Sequence, residues 1–311
     1  SETGTPGDAM SYNIRGTTSI NGGTPLVLVN NVPMDINMID PQEIESVSIL
    51  KDAASAAIYG ARAAFGVILI TTKQGKKDSA PKFNYNNNIS FSKPLELPQK
   101  ASPLESVLAY KEMDWPNDTY VDGKNITQWE GYIRDYQSNP GKYPNGYIFD
   151  ESGNLFLMKE RNMFDDMTDN FGFMQNHSMS VSGGSEKTVY RIGVGYTGED
   201  GILITDKDSY DRLNLSTFMG VDVNSWLTTQ LDLKYANSKQ NKVEAGGRNT
   251  VWVAAMNLPS YQNNEEYEEN GIVYAPESPA TYIRYGDPRK IKRNDLRALG
   301  RIILSPLKGL K

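Results

Sequence analysis

The sequence predicts a membrane all-β fold, part of an antiparallel outer-membrane β-barrel that follows a small α/β domain. Three observations predict this fold: segments that alternate apolar and polar residues, connections that alternate between long and short, and a differently patterned first part of the chain. Outer-membrane barrels use strands of about 9–11 residues, with apolar side chains toward lipid and polar side chains toward the interior.

The composition narrows the possible functions. The 311 residues carry a net charge of −6, which disfavours a nucleic-acid partner, and the short basic run Arg289, Lys290, Lys292 and Arg293 is interpreted as a solvated loop. Cysteine is absent, which excludes thiolate metal sites. His177 is the single histidine, so a zinc site or a catalytic triad would rest on one residue. We therefore expect no enzyme activity, no metal and no cofactor.

The first part of the chain has the pattern of a compact α/β unit. An apolar strand at 26–29 and a second extended run at 44–51 precede a helix predicted over 53–59, for which Gly60 is a suitable C′ residue. The continuous apolar run in 66–72 then predicts a strand that is covered on both faces. Strand, helix and strand in this order predict a βαβ unit. The alternative is that these residues only form a core.

The following segments have the pattern of barrel strands. In 83–92, mostly aromatic and apolar side chains at odd positions alternate with Asn and Ser at even positions. An uncharged polar face suits the water-filled interior of a barrel better than the wet face of a soluble sheet. Similar alternation recurs in five further segments, more weakly in the last: 175–183, 188–197, 211–223, 226–237 and 296–305.

The connections favour a barrel over a soluble β domain. They contain about eighty residues, a short turn, about a dozen residues, a short turn and about sixty residues, which is the rhythm of periplasmic turns and external loops. Six strands do not close a barrel. At about 37 residues per strand, a barrel of about 22 strands, the size that encloses a plug, needs on the order of 800 residues. We therefore expect the chain to be a piece of a longer protein.

Three aspartates resemble the start of a calcium-binding loop. Asp206, Asp208 and Asp211 have suitable spacing, but the invariant glycine and the distal glutamate of an EF-hand are out of place. We interpret the three residues as part of a solvated loop.

Two long stretches of the first part carry a family resemblance. Residues 14–34 read IRGTTSINGGTPLVLVNNVPM, and residues 41–76 read PQEIESVSILKDAASAAIYGARAAFGVILITTKQGK. Together with segments between 177 and 227, they resemble the SusC/RagA family of TonB-dependent outer-membrane transporters of Bacteroidetes. The chain departs from the family at Asn30-Asn31, where Asp-Gly is usual, and at Ala61, where Ser is frequent.

The resemblance implies a 22-stranded antiparallel barrel in the outer membrane of a Gram-negative bacterium, with the plug inside its lumen. It implies three partners, namely a SusD-like surface lipoprotein, the TonB–ExbB–ExbD complex and outer-membrane lipid, whereas the net charge is the reason to expect no nucleic acid. A dimer of receptor–lipoprotein pairs is a further expectation. The TonB box, the signal peptide and most of the barrel would be missing. The expected divisions are the C-terminal portion of the plug at 1–75, a linker at 76–82 and six barrel strands in 83–311, with extracellular loops at 93–174, 198–210 and 238–295.

The resemblance also assigns candidate site residues. Arg15, Glu43 and Glu45 are expected to lock the plug to the wall, although a surface charge would contribute only about 0–1 kcal/mol. Substrate contact is expected from a polar plug loop and from aromatic residues of the first long loop. Aromatic rings can stack on sugars, but they also fill cores. These substrate-contact candidates are Ser19, Ile20, Asn21, Gly22, Gly23, Trp115, Trp129 and Tyr132.

The expected function is TonB-dependent active import of a large nutrient across the outer membrane. An oligosaccharide or glycan is the first expected substrate class, because the family is most often associated with glycans. An oligopeptide importer of the RagA type is the alternative. A non-transporting interaction or adhesion protein with the same β-architecture is a more distant alternative.

Overall fold

The computed structural model contains two sheets and a set of long connections. It describes residues 5–8, 12, 14, 23–52, 57–94, 96–113, 120–121, 123–169, 171–245, 249–262, 267–269, 271–274 and 278–306. Within them, a small four-stranded sheet packs beside a six-stranded sheet, and the long connections all leave the same end of the larger sheet.

The first sheet is a mixed sheet with its most buried strand at the centre. Its strands, in the spatial order β2-β1-β4-β3, are β1 (Leu26–Val29), β2 (Val32–Pro33), β3 (Ile44–Leu50) and β4 (Val67–Thr72). Strand β4 pairs with β1 in parallel and with β3 antiparallel. Val67, Ile68 and Ile70 are buried, as the apolar run predicts for a strand covered on both faces.

The connection from β3 to β4 differs from the predicted βαβ unit. The two strands lie side by side and antiparallel, so the chain reverses direction between them instead of crossing a sheet face. Part of the predicted helix, 53–56, lies outside the described residues. Residues 57–63 form 3-10 turns interrupted at Gly60, whose φ is 67°. Such short turns do not provide the crossover that a parallel pair requires.

The six-stranded sheet is an antiparallel meander in which sequence neighbours pair. Its strands have 13 to 16 residues and are longer than the predicted segments, because pairing continues beyond the apolar residues. They are β5 (Ser79–Ser92), β6 (Gly172–Gly184), β7 (Thr188–Asp200), β8 (Ser209–Asn224), β9 (Leu227–Lys242) and β10 (Arg289–Leu304).

The basic run near residue 290 is part of strand β10, so its interpretation as a loop is wrong. Register pairing with β9 extends from Leu304 to Arg289, through the whole run. Because side chains alternate along a strand, Lys290 and Lys292 lie on one face, and Arg289 and Arg293 lie on the other.

The long connections pack on one another through two hydrophobic cores. One core surrounds Trp129 and Phe156, and the other joins Met167, Leu203 and Ile283 from three different connections. The helices are α1 (Pro103–Glu112), α2 (Ile126–Ser138), α3 (Met163–Met167), α4 (Val251–Asn257) and α5 (Pro279–Tyr285). Short hairpins pair Tyr120–Val121 with Lys124–Asn125, Tyr147–Phe149 with Leu155–Leu157, Glu244–Ala245 with Asn249–Thr250, and Tyr267–Glu269 with Ile272–Tyr274.

Lys100 connects the long segment between β5 and β6 to the long segment between β9 and β10. Lys100 Nζ donates to the carbonyl oxygens of Ala255 and Met256, both at 2.5 Å, and of Leu258 at 2.8 Å. These carbonyls lie at the C-terminal end of helix α4, where a positive charge is favourable. Within the described ranges, no helix has the length and apolarity needed to cross a membrane.

Candidate functional site between the two sheets

The six-stranded sheet exposes its apolar face and turns its polar face toward the small domain. Phe83 is 81% exposed and Phe91 65% exposed, as the expectation of a lipid-facing surface requires. Ser178, Arg191 and Asp232 on the opposite face are buried. A sheet of a soluble domain normally buries its apolar face, so the observed arrangement is the reverse and is typical of a barrel wall.

Glu43 joins the two sheets through a buried ion pair. It ends a 3-10 helix, Pro41–Glu43, directly before β3. Arg191 Nη2 on β7 donates to Glu43 Oε1 at 2.9 Å, and Ser216 Oγ on β8 donates to Oε2 at 2.8 Å. The side chains of Glu43 and Arg191 are only 9% and 7% exposed. Both carboxylate oxygens therefore have partners that offset the loss of hydration.

The residues directly before Glu43 are bound by side chains of β6 and β8. Ser178 Oγ donates to Asp40 Oδ2 at 2.9 Å, and Asn214 Nδ2 donates to the carbonyl oxygen of Met38 at 2.7 Å. Arg212 donates to the carbonyl oxygen of Asn37. The inward polar face thus satisfies a carboxylate and backbone carbonyls of the small domain.

Asn30 forms a second contact between the sheets. Its Nδ2 donates to Asp232 Oδ2 on β9 at 2.6 Å and to Thr72 Oγ1 at 2.7 Å, while Thr72 N donates to Asn30 Oδ1 at 3.0 Å. Lys234 Nζ lies 2.9 Å from Asp232 Oδ1, which is an ion pair without hydrogen-bond geometry. The buried Asp232 is therefore balanced by one amide and one ammonium group.

Residues 5–8 form a third contact, near the loop end of the sheet. Gly7 N donates to Glu199 Oε2 at 3.1 Å, and Lys242 Nζ donates to Asp8 Oδ1 at 2.6 Å. Asp208 is 4% exposed. Burial, reinforced by the negative charges of Glu199 and Asp8, raises the pKa of Asp208 to about 7.

The acidic residues at this end do not form the loop that the sequence suggested. Asp208 is buried, so the solvated-loop interpretation is wrong for that residue. Asp206 is exposed, and Asp211 Oδ1 accepts a hydrogen bond from Tyr196 at 2.7 Å. Over the described ranges, no group of three or more acidic or histidine side chains is suited to a metal ion.

The predicted lock residues have different environments. Glu43 lies in the buried ion pair with Arg191. Glu45 is exposed on β3, at an irregularity of the pairing with β4. Arg15 lies outside the described residues.

The predicted substrate-contact residues are also divided. Ser19, Ile20, Asn21, Gly22 and Trp115 lie outside the described residues, and Gly23 is exposed. Trp129 is 2% exposed, and its Nε1 donates to the carbonyl oxygen of Leu157 at 2.8 Å, so it is a core residue that a ligand does not reach in this structure. Tyr132 is partly buried against the same core, and its ring centroid lies 5.1 Å from that of Phe156.

Several interface residues were not singled out from the sequence. Arg191 carried a usable signal, because it is the only charged side chain on the polar face of the predicted strand at 188–197. Asn30 carried a weaker one, because Asn-Asn directly after an apolar strand is a turn signal. Asp232 has no distinguishing local pattern, because its role depends on which turn of the small domain lies opposite.

Comparisons with known proteins agree with this arrangement. The family described as the TonB-dependent receptor plug domain matches residues 1–67. The chain is 28% identical over 285 residues to the TonB-dependent receptor SusC of Bacteroides thetaiotaomicron, and the match covers 87% of this chain and 25% of SusC. It is 27% identical over 283 residues to the TonB-dependent receptor P26 of Formosa agariphila, covering 89% of this chain and 25% of P26. The chain is thus similar to SusC-type TonB-dependent receptors over most of its length.

Solved structures show the same fold as this chain. The RagAB peptide importer in the open-open state matches with a TM-score of 0.68 and 22% identity, over 96% of this chain and 34% of that one. The RagAB peptide transporter matches with a TM-score of 0.69 and 22% identity, over 96% and 35%. The matched plug domain includes three of the four strands of the first sheet, so the first sheet is called the plug below and the six-stranded sheet the wall. The chain spans about a quarter of the length of the curated relatives.

Proposed function

We propose that this chain supplies the plug and part of the wall of a transporter that imports a large nutrient by TonB-dependent active transport. The transporter would lie in the outer membrane of a Gram-negative bacterium of the Bacteroidetes. The observation that carries the proposal is the orientation of the wall, whose apolar face is exposed while its polar face holds the plug. A complete barrel of about 22 strands has room for a plug of this kind.

The plug must be held against the wall and yet be able to move. We propose that Glu43 and Arg191 form the main described part of a plug–wall lock, with Arg15 as a further candidate. Glu45 is exposed and is therefore left out of the proposed lock. A buried ion pair suits a releasable lock, because its net contribution is small when intact, whereas loss of one partner is costly.

The substrate is proposed to be an oligosaccharide, as the family resemblance implies, with an oligopeptide as the second candidate. The peptide candidate is favoured by the RagAB relatives, which are named as a peptide importer. A cavity of about 700 Å³ between plug and wall is lined by both apolar and polar groups, the polar ones including Asn88, Asn176 and Arg212. A SusD-like lipoprotein and the TonB–ExbB–ExbD complex are the proposed partners, and residues 19–23, Trp115 and Tyr132 remain candidates for substrate contact.

An uptake assay tests the proposed function. Cells that express the full-length receptor with its lipoprotein receive labelled oligosaccharides or labelled oligopeptides. Saturable uptake of one class is expected, and it should stop in a strain that lacks TonB. Undiminished uptake without TonB would contradict active import. Surface expression with uptake of neither class would favour the adhesion alternative.

The proposed lock is tested by a double-mutant cycle. Glu43→Gln and Arg191→Gln should each destabilise plug docking by about 3 kcal/mol, because each leaves a buried charge without its partner. The double variant should lose less than the sum of the two single variants. The measurement is the urea dependence of plug release from the full-length receptor, together with passive leak through the barrel.

Glu45→Gln is the matched control, because it removes an exposed carboxylate from the same segment. It should change plug docking by no more than about 0.5 kcal/mol. Additive effects of the two single substitutions, or an equal effect of Glu45→Gln, would contradict the assignment of the lock to Glu43 and Arg191.

A further inference from the structure

Three lysines form a cationic patch on the outward face of the wall. Lys239 on β9 and Lys292 on β10 are direct register partners, and Lys290 is two residues further along the same face. All three side chains are exposed. The patch, defined here as Lys239, Lys290 and Lys292, lies at the end of the sheet from which the long connections leave.

Arg293, one of the two inward arginines of the basic run, has a partner on the plug, whereas the outward lysines face one another. Arg293 Nη1 donates to Asp35 Oδ2 of the plug at 3.0 Å. Among the described residues, the three lysines form no ion pair, and Asp211, the register partner of Lys239, accepts a hydrogen bond from Tyr196. Like charges directly opposite each other in a sheet are destabilising, so this arrangement favours an anion beside them.

The patch adjoins the apolar surface that would meet lipid. On β10 the outward residues from Leu296 to Leu304 are apolar or Gly, and Leu296 and Ile302 are 75% and 71% exposed. Lys292 lies twelve residues from Leu304, which corresponds to roughly 30 Å along the membrane normal at the tilt usual for barrel strands. That distance matches the hydrocarbon thickness, so the ammonium groups would lie at headgroup level.

We propose that the patch binds the phosphate groups of an anionic lipid in the leaflet on the loop side. The inference rests on the proposed function, in which the apolar face of the wall meets lipid. An anionic lipid satisfies both observations together, because its acyl chains cover the apolar band and its phosphate lies between the opposed lysines. A soluble anion would neutralise the lysines but would leave the apolar band uncovered.

Lipid retention by the full-length receptor tests the proposal. Purified receptor in a nonionic detergent is mixed with phosphatidylglycerol and phosphatidylcholine that carry the same acyl chains, and bound lipid is measured by native mass spectrometry. The receptor should retain phosphatidylglycerol about tenfold more than phosphatidylcholine. The combined substitution Lys239→Gln, Lys290→Gln and Lys292→Gln should reduce this ratio to near one, whereas Arg at the same positions should preserve it.

A matched control removes the same charge from the other end of the wall region. The combined substitution Lys76→Gln, Lys82→Gln and Lys187→Gln changes three exposed lysines and should leave the ratio high. An equal loss in both Gln variants would overturn the proposal, and so would displacement of the lipid by inorganic phosphate. Equal retention of both lipids by the unsubstituted receptor would also overturn it and leave the proposed function intact. Retention of neither lipid would contradict the proposed membrane wall itself.

Discussion

Asn30 combines a local conformational role with a long-range contact. Asn30 and Asn31 have φ values of 50° and 72°, which a tight hairpin turn of type I′ requires at both central positions. Asn-Asn and the Asp-Gly that is usual in the family both suit such a turn. The amide of Asn30 adds a hydrogen bond to Asp232, 202 residues away, which a carboxylate could not donate.

Replacing Asn30 by Asp should weaken the docking of the plug. Asn30→Asp places a carboxylate within hydrogen-bond distance of Asp232 and removes the donor, with an expected cost of about 1–3 kcal/mol at neutral pH. Asn31→Asp is the control, because Asn31 belongs to the same turn and is exposed. Urea-induced plug release of the two variants is the measurement. Equal effects of the two substitutions would show that the turn, and not the contact with Asp232, is responsible.

Strand β7 shows how a whole element makes room for the plug. Its inward positions alternate Arg191, Gly193, Gly195 and Thr197. A Cβ at Gly193 would lie 2.4 Å from Glu43 Oε1, and one at Gly195 would lie 2.4 Å from Asp40 Oδ2. The glycines therefore permit a close approach of the carboxylates, and the strand pattern serves docking as well as pairing.

Gly193→Ala should disrupt the lock without removing any charged group. The added methyl group must displace Glu43 from Arg191, so plug docking should weaken by about 1–3 kcal/mol. Gly300→Ala on β10 is the control, since an added Cβ there meets no atom within 4 Å. Plug release and passive leak are measured for both variants. A leak equal to that of Gly300→Ala would contradict the proposed packing.

The connection between β7 and β8 has a pH-dependent element in Asp208. Its pKa of about 7 is above its ordinary value of 3.8, so the folded state retains a proton that the unfolded chain has lost at intermediate pH. The contribution of protonated Asp208 to the free energy of unfolding is therefore complete below about pH 4, and it is lost as the pH rises through about 7. Glu199 and Asp8 raise the pKa, and Lys242 opposes them.

Hydrogen exchange at Gly201 should report this pH dependence. Gly201 N donates to the carbonyl oxygen of Asp208 at 2.7 Å, and its protection, corrected for the intrinsic exchange rate, should fall as the pH rises from 5 to 8. Asp208→Asn should abolish the trend, because Asn does not titrate. Asp206→Asn, at an exposed position of the same connection, should retain the trend. A trend that persists in Asp208→Asn would exclude Asp208 as its source.

The molecule as a whole has its apolar surface outside and its polar contacts inside. On β8 the outward residues from Leu213 to Val223 span ten residues, or about 25 Å along the normal of a membrane at the usual strand tilt. This distance equals the height of the apolar band of outer-membrane barrels. The plug lies on the other face, where buried polar pairs replace water.

A lysine placed on this surface should be costly only near the membrane centre. Met219→Lys, near the middle of the outward span of β8, should lower the free energy of unfolding in phospholipid vesicles by about 2–4 kcal/mol. Val223→Lys, at the end of the same strand, should lower it by about 0–1 kcal/mol. Reversible urea unfolding of the full-length receptor is the measurement. Equal small costs at the two depths would show that the face is in contact with water.

Local patterns were sufficient for the wall strands and for the side of each that carries apolar residues. Alternation with period two is a property of the extended backbone, and it identified five strands clearly and the sixth, β10, more weakly. Glu43 was also identified as a residue of interest through its family motif. These features depend only on residues that are near one another in the chain.

The pairing of Glu43 with Arg191, the contact of Asn30 with Asp232 and the antiparallel arrangement of β3 and β4 required the folded molecule. Glu43 and Arg191 are 148 residues apart and belong to separate sheets. No local pattern encodes how two sheets are placed against each other, because that placement minimises unpaired buried charge over the whole interface. The position of Trp129 also required the folded molecule. Only the packing of the long connections shows that its ring lies in a hydrophobic core and not on a ligand surface.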